Sequence, residues 1–222
     1  MNPIKRTKFN VCVLGESHVG KTCMTEALTG IPFNENHLTT IGMENFKINK
    51  VIEGQKYLFK IIDTAGQERY NSVSNSQIKI ADGFLLVFSV ESEESLNKID
   101  KWIQSIEKNC NLEKKVMVLA GNKIDIEDRI ITKEAAKNFA DERKMKYFET
   151  SAKTKVGIDD CFNELFQDIY DLNKKLEKLK EEEEKNSKTK ETTKEDNSNQ
   201  QDQRFELKAA TAKEKTKHKC KC

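Results

Sequence analysis

No apolar run in the 222 residues is long enough to cross a bilayer, because the longest strong one, "GFLLVFSV" at 83–90, has the length of a buried strand. The N-terminus has no signal-type apolar stretch either, so synthesis and residence in the cytosol are expected. An excess of one charge is also missing. The net charge of +2 conceals 34% charged residues, and no basic groove stands out, so no nucleic-acid partner is expected. The six cysteines lack zinc-like spacing. Cys12, Cys23, Cys110 and Cys161 fall in segments that read as strands or helices, where reduced, buried thiols are expected. Cys220 and Cys222 stand apart at the terminus.

Little in the chain beyond Leu172 could be buried: "NKKLEKLKEEEEKNSKTKETTKEDNSNQQDQ" is almost wholly polar. Residues 1–7 read as an N-terminal extension, 8–179 as one domain, and 180–222 as a disordered, flexible tail. Within the domain, β-rich runs near Phe9–Leu14, Phe46–Ile52, Tyr57–Ile62, Phe84–Val90, Val116–Gly121 and Lys146–Glu149 alternate with helical patterns. "EGQ" at Glu53–Gln55 joins the second and third strands as a hairpin, and the other strands are a helix-length apart. An α/β fold with a six-stranded, mostly parallel sheet flanked by helices follows. Helix starts are expected at Ser92 or Ser95 before "LNKIDKWIQSIEK", at Thr132 before "KEAAKNFADERK", and near Gly157, with the last apolar stripe fading after Leu179.

"GESHVGKT", Gly15 to Thr22, follows the first strand and opens a helix, the context of a Walker A loop. Backbone N–H groups wrap phosphate oxygens only where the chain folds tightly; the Lys21 ammonium neutralises terminal phosphate charge and the Thr22 hydroxyl can ligate Mg²⁺. "NKID", Asn122 to Asp125, and "ETSAK", Glu149 to Lys153, lie at carboxyl ends of strands, where open sheets bind ligands. The Asp125 carboxylate can accept from two N–H groups on the edge of guanine and finds no such pair on adenine.

Together "GESHVGKT", "TTIG", "DTAGQER", "NKID" and "ETSAK", spanning about 8 to 172, resemble the Ras superfamily of small GTPases. The resemblance implies the P-loop small GTPase fold and assigns roles. Gly15, Ser17, His18, Val19, Gly20, Lys21, Thr22 and Cys23 would line the phosphates of GTP or GDP. Thr22, Thr40 and Asp63 would hold Mg²⁺, the last through water, and Gly66 would sense the γ-phosphate. Asn122, Lys123, Asp125, Ser151, Ala152 and Lys153 would grip the base, with Phe33 against the guanine ring or packed beside Pro32. Gln67 would orient the attacking water while Lys21 stabilises charge, and Arg69 is read as a surface charge. Without an arginine finger, turnover on the order of 10⁻⁴ to 10⁻³ per second is expected.

His18 is a further oddity of the loop, expected to point to solvent or to the mouth of the site, with a tuning of nucleotide release by its charge as the sharper alternative. Segments 31–44 and 63–80 would be the moving surfaces of a switch. At the end, "KEKTKHKCKC" has Lys219 where a CaaX box needs cysteine, and the terminal Cys-X-Cys resembles the Rab branch, in which both cysteines carry geranylgeranyl chains. Two lipids anchor stably where one does not. The resemblance then implies a monomeric switch on the cytoplasmic face of intracellular membranes with a cytosolic pool, regulating vesicle traffic. Its partners would be exchange factors, GTPase-activating proteins, a GDP dissociation inhibitor, a prenylation escort and effectors. The alternatives are a Ras- or Rap-like signalling GTPase at the plasma membrane and a nucleotide-gated adaptor with negligible hydrolysis. Ile62, Gln77, Ile78 and Lys79 depart from the aromatic Rab pattern, so a more aliphatic effector face is expected.

Overall fold

The computed structural model describes residues 6–35, 43–64 and 75–183. Six strands form one sheet: β1 (Lys8–Leu14), β2 (Met43–Ile52), β3 (Gln55–Thr64), β4 (Gly83–Ser89), β5 (Val116–Asn122) and β6 (Lys146–Glu149). Their spatial order is β2-β3-β1-β4-β5-β6. Only the β2–β3 pair is antiparallel, with Ile52 opposite Gln55 across a two-residue turn. Both turn residues, Glu53 and Gly54, sit at positive φ, as a hairpin turn matched to strand twist requires. β1, β4, β5 and β6 are parallel, and their connections carry α1 (Lys21–Leu28), α2 (Asn75–Ile80), α3 (Glu93–Asn97), α4 (Ile99–Asn109) and α5 (Lys133–Glu142).

A final helix, α6, begins at residue 158. The chain separates into a compact unit, Met1–Asn173, and a second unit, Lys174–Cys222. All described strands lie in the first. In the second, residues 174–183 are helical.

Covering the sheet on both faces explains why β4 is apolar from Gly83 to Phe88 and buried along its whole length. The alternation of side chains splits the core in two. Phe9, Val11 and Val13 of β1 join Phe59 and Ile61 of β3, Leu85 and Val87 of β4, and Val118 of β5, under Met24 of α1 and Phe162, Phe166 and Ile169 of α6. Cys12 and Leu14 join Phe84, Leu86 and Phe88, and Leu119, against Ile78 of α2, Ile99 and Ile106 of α4, and Ala136 and Ala140 of α5. The aromatic rings of the first layer are in register, with Phe59 and Phe166 stacked at a centroid distance of 4.2 Å and 23° between planes.

The expected helix after Ser92 is divided. Ser92 caps α3 by accepting from Ser95 N, α3 ends at Lys98, and α4 begins at once after it. Thr132 caps α5 as its sequence suggests, accepting from Ala135 N. The short helix α2 has no counterpart in the sequence reading, since its six residues are too few for periodicity to register. Cys110 follows α4 as its extended C-cap residue and is half-buried, as is Cys23, whereas Cys12 and Cys161 are buried; all four are free thiols. Burial with Asp63 nearby pushes the Cys12 thiol up to about 12, so it stays protonated.

One expectation is corrected here. Ile62 and Ile78 are 2% and 1% exposed. Their aliphatic character therefore fills the interior, and the expected aliphatic effector face does not include them. Replacing Phe166, 1% exposed, by alanine removes the ring stacked on Phe59 and should cost about 3–5 kcal/mol, read as a lowered midpoint in chemical denaturation.

Candidate nucleotide site

Three loops leave the carboxyl ends of β1, β5 and β6, and one side chain links them. Asn122, at the end of β5 and 1% exposed, donates from Nδ2 to the carbonyl of Val19 at 2.8 Å. Its Oδ1 accepts from Ala152 N at 3.2 Å and from Thr150 Oγ1 at 3.3 Å. The β1–α1 loop, the β5 end and the β6 loop are thereby held at one place. Gly20 makes the first contact feasible: it has φ 93°, and a Cβ there would lie 2.4 Å from Asn122 Nδ2. Gly15, at φ 149°, passes so close to β4 that a Cβ would lie 2.1 Å from the Val87 carbonyl oxygen.

Between those glycines the loop turns back on itself. Lys21, 5% exposed, folds over it and donates from Nζ to the carbonyls of Gly15 at 2.9 Å and Glu16 at 2.7 Å. Burial lowers its pKa to about 8, with Asp63 acting the other way. Ser17 is half-buried, and His18 is exposed in the left-handed region at φ 63°, in keeping with a side chain directed to solvent or the mouth of the site. Val19 is buried in the core.

Beneath the loop, Thr22 Oγ1 donates to Asp63 Oδ2 at 2.5 Å. Asp63 is fully buried at the end of β3, and its Oδ1 has no hydrogen-bond partner among the described residues. Burial raises this carboxyl to about 6, against the bond from Thr22 and the charge of Lys21. A buried orphan carboxylate oxygen beside a hydroxyl is a hard, oxygen-only donor set that suits Mg²⁺ and leaves the rest of its shell to water and phosphate. Among the described residues no group of three or more His, Cys, Asp or Glu could hold a metal ion.

At the other end of the cleft, Ser151 Oγ donates to Asp125 Oδ1 at 2.5 Å and accepts from Thr154 N at 3.0 Å, fixing the carboxylate that the sequence assigns to a base edge. Lys123 stands at φ 68° and pairs with Glu91 at 2.5 Å. Lys153 pairs with Glu35 at 2.9 Å, joining the β6 loop to the segment that carries Phe33, which is 39% exposed. Thr40, Gly66 and Gln67 lie outside the described residues, as do Cys220 and Cys222. Thr150, inside the quoted ETSAK stretch, was not singled out, and Glu91 and Glu35 were missed from sequence: their partners are 28, 32 and 118 residues away, and no local pattern marks the last two.

A mostly parallel sheet with a phosphate-type loop between β1 and α1, and two further loops at the same sheet end, is the architecture of the P-loop small GTPases. The family model for the Ras family matches residues 10–171. Similar proteins include "Ras-related protein Rab-13" of Rattus norvegicus, 37% identical over 163 residues, which cover 72% of this chain and 79% of that one. "Ras-related protein Rab-10" of Diplobatis ommata is also 37% identical over 163 residues, covering 72% and 80%. "Ras-related protein Rab-8A" of Bos taurus is 36% identical over 172 residues, covering 76% and 82%. The chain belongs to the Ras family of small GTPases, on its Rab-like branch.

The raised Asp63 carboxyl has a consequence for the nucleotide-free protein kept in chelator. A folded-state pKa of about 6 above an ordinary 3.8 means that ionised Asp63 opposes folding at pH 7, and the penalty fades as pH falls through 6 towards 3.8. Urea denaturation at pH 7 and pH 5 should therefore show the native chain gaining stability relative to Asp63→Asn, which has no proton to take up.

Proposed function

We propose that the protein is a GTP-gated switch that binds GTP and GDP through the Asn122-linked loops, hydrolyses GTP slowly, and acts from a membrane in vesicle traffic. The observation that supports this reading is the three-way hydrogen bonding of Asn122, which links the phosphate-type loop to both base-type loops. Backbone N–H groups of Gly15 to Thr22 would hold the β- and γ-phosphates, with Lys21 leaving its loop carbonyls to neutralise them. Asp125, oriented by Ser151, would accept from guanine's two N–H groups, and Phe33 would cover the ring.

Thr22 and Asp63, with Thr40, would hold Mg²⁺, which when bound spreads the charge developing on the phosphate oxygens. Gln67 would position the attacking water. Positioning and charge, without an arginine from this loop, give slow turnover, as a switch needs. Thr40 and Gly66 would register the γ-phosphate, so that effectors are recruited in the GTP state and released after hydrolysis. Exchange factors, GTPase-activating proteins and a GDP dissociation inhibitor would set the cycle.

Support for the membrane comes from the tail, where Cys220 and Cys222 stand among lysines. Two geranylgeranyl chains there, added by an escorted prenyltransferase, would give stable attachment aided by an anionic leaflet. Traffic, rather than plasma-membrane signalling, is favoured by this Cys-X-Cys end and by the likeness to proteins named as Rabs.

Three experiments test the reading. Asp125→Asn should shift preference from guanine to xanthine nucleotides, because the new amide N–H meets xanthine's extra carbonyl. Retained guanine selectivity in a competition assay would remove the base assignment, and absence of labelled-GTP hydrolysis by the native protein would remove the switch. Replacing both Cys220 and Cys222 by Ser should move the protein from the membrane pellet to the supernatant, whereas either single change should leave weaker, exchangeable binding.

A further inference from the structure

The connection from β4 to α4, residues 90–98, holds charges that the nucleotide cleft does not use directly. It is itself fixed to the sheet. Ser95 Oγ donates to Ser92 O at 2.7 Å and accepts from Ser89 N at 3.0 Å, so α3 is bound to the end of β4. Leu96 and Ile99 are buried beside it. From this anchored segment two side chains reach the loops of the cleft.

Lys98, at the junction of α3 and α4, pairs with Glu16 Oε2 of the phosphate-type loop at 2.9 Å and with Glu94 Oε1 at 2.9 Å. Glu91 pairs with Lys123 of the base-type loop at 2.5 Å. The Glu16–Lys98 pair is not an ordinary surface ion pair, since the side chains are 14% and 24% exposed. Glu16 Oε1 is already buried without a partner among the described residues. Removing Lys98 would strand a mostly buried carboxylate, and such a group must move out or draw in another cation. The main chain would move with it. Glu16 lies within the phosphate-type loop and its carbonyl is one of the two that Lys21 contacts in this structure, so the loop's shape depends on where Glu16 is fixed.

We propose that the 90–98 connection is a brace that sets how long nucleotide is held, with Lys98 positioning the phosphate loop through Glu16 and Glu91 positioning the base loop through Lys123. The proposal rests on the reading of the cleft as a guanine-nucleotide site. Lys98 and Glu91 are positioning residues, touching no substrate. Because both originate within eight residues of one segment, a shift of that segment loosens both ends of the ligand together.

The test is the release rate of fluorescently labelled GDP from the full-length, Mg²⁺-loaded protein chased with excess unlabelled GDP. Lys98→Met should raise the off-rate on the order of tenfold. Glu16→Gln should raise it less, since no charge is stranded, and the double variant should match Glu16→Gln alone, the non-additivity expected of residues acting through one contact. Lys98→Arg, which keeps the charge, should retain most of the native rate, and Glu91→Gln should also speed release. A general loss of structure would show as a fall in the thermal midpoint that Lys98→Arg fails to restore, and that outcome overturns the proposal. So does a native off-rate in Lys98→Met or in Glu91→Gln. If Lys98→Met does not fold, the Glu16→Gln and Glu91→Gln rates decide. A native protein that retains no labelled GDP would refute the nucleotide site itself, a different failure from that of the brace.

Discussion

Asn122 is the constraint on which the cleft depends. Its amide is held rigidly because β5 lies inside a parallel sheet, paired to β4 as far as the Ser89–Asn122 register position and buried on both faces. A side chain so placed can spend both ends on other loops: Nδ2 on Val19, Oδ1 on Ala152 and Thr150. Each bond on its own is modest, about 1 kcal/mol, but their common origin matters more. Losing the amide would leave a buried carbonyl and a buried amide N–H unpaired together, and the three loops would no longer share a reference point.

Around that point the site is built from groups that burial makes uneasy. Asp63 has its proton affinity raised and Lys21 has its lowered, both chiefly by desolvation. In this state Lys21 rests on the carbonyls of Gly15 and Glu16, and Asp63 keeps one oxygen unpartnered among the described residues. A polyanionic ligand with a divalent cation would relieve both, which is how a binding site can be preformed without being most stable when empty. The surrounding frame absorbs the cost. Two stacked core layers, one under α1 and α6 and one under α2 to α5, hold the strand ends from which the polar groups project.

Much of this was legible beforehand because the relevant signals are local. Short β-rich runs mark the strands, Glu53–Gly54 marks the hairpin, Thr132 marks a cap, and Gly15 to Thr22 is a contiguous stretch whose residue types have one common use. Other features failed to show for physical reasons. α2 is too short to display a helical period, and the break at Lys98 lies inside a sequence whose apolar stripe continues through it. Ile62 and Ile78 look from the sequence like members of a surface patch, but strand direction and helix docking turn both inward.

By itself the sequence determined the order of the six strands and the residue types available in the loops after β1, β5 and β6, since backbone propensity and side-chain type are properties of a few adjacent residues. Only the tertiary structure decided which carboxylate each lysine meets. Lys21 could have paired with Asp63 and instead bonds loop carbonyls, while Lys98 reaches back 82 positions to Glu16 and Lys123 reaches Glu91. Those choices depend on strand order, on the passage of Gly15 past Val87, and on which groups burial leaves within about 3 Å of one another. Such distances arise between residues far apart in the chain, so no local pattern encodes them.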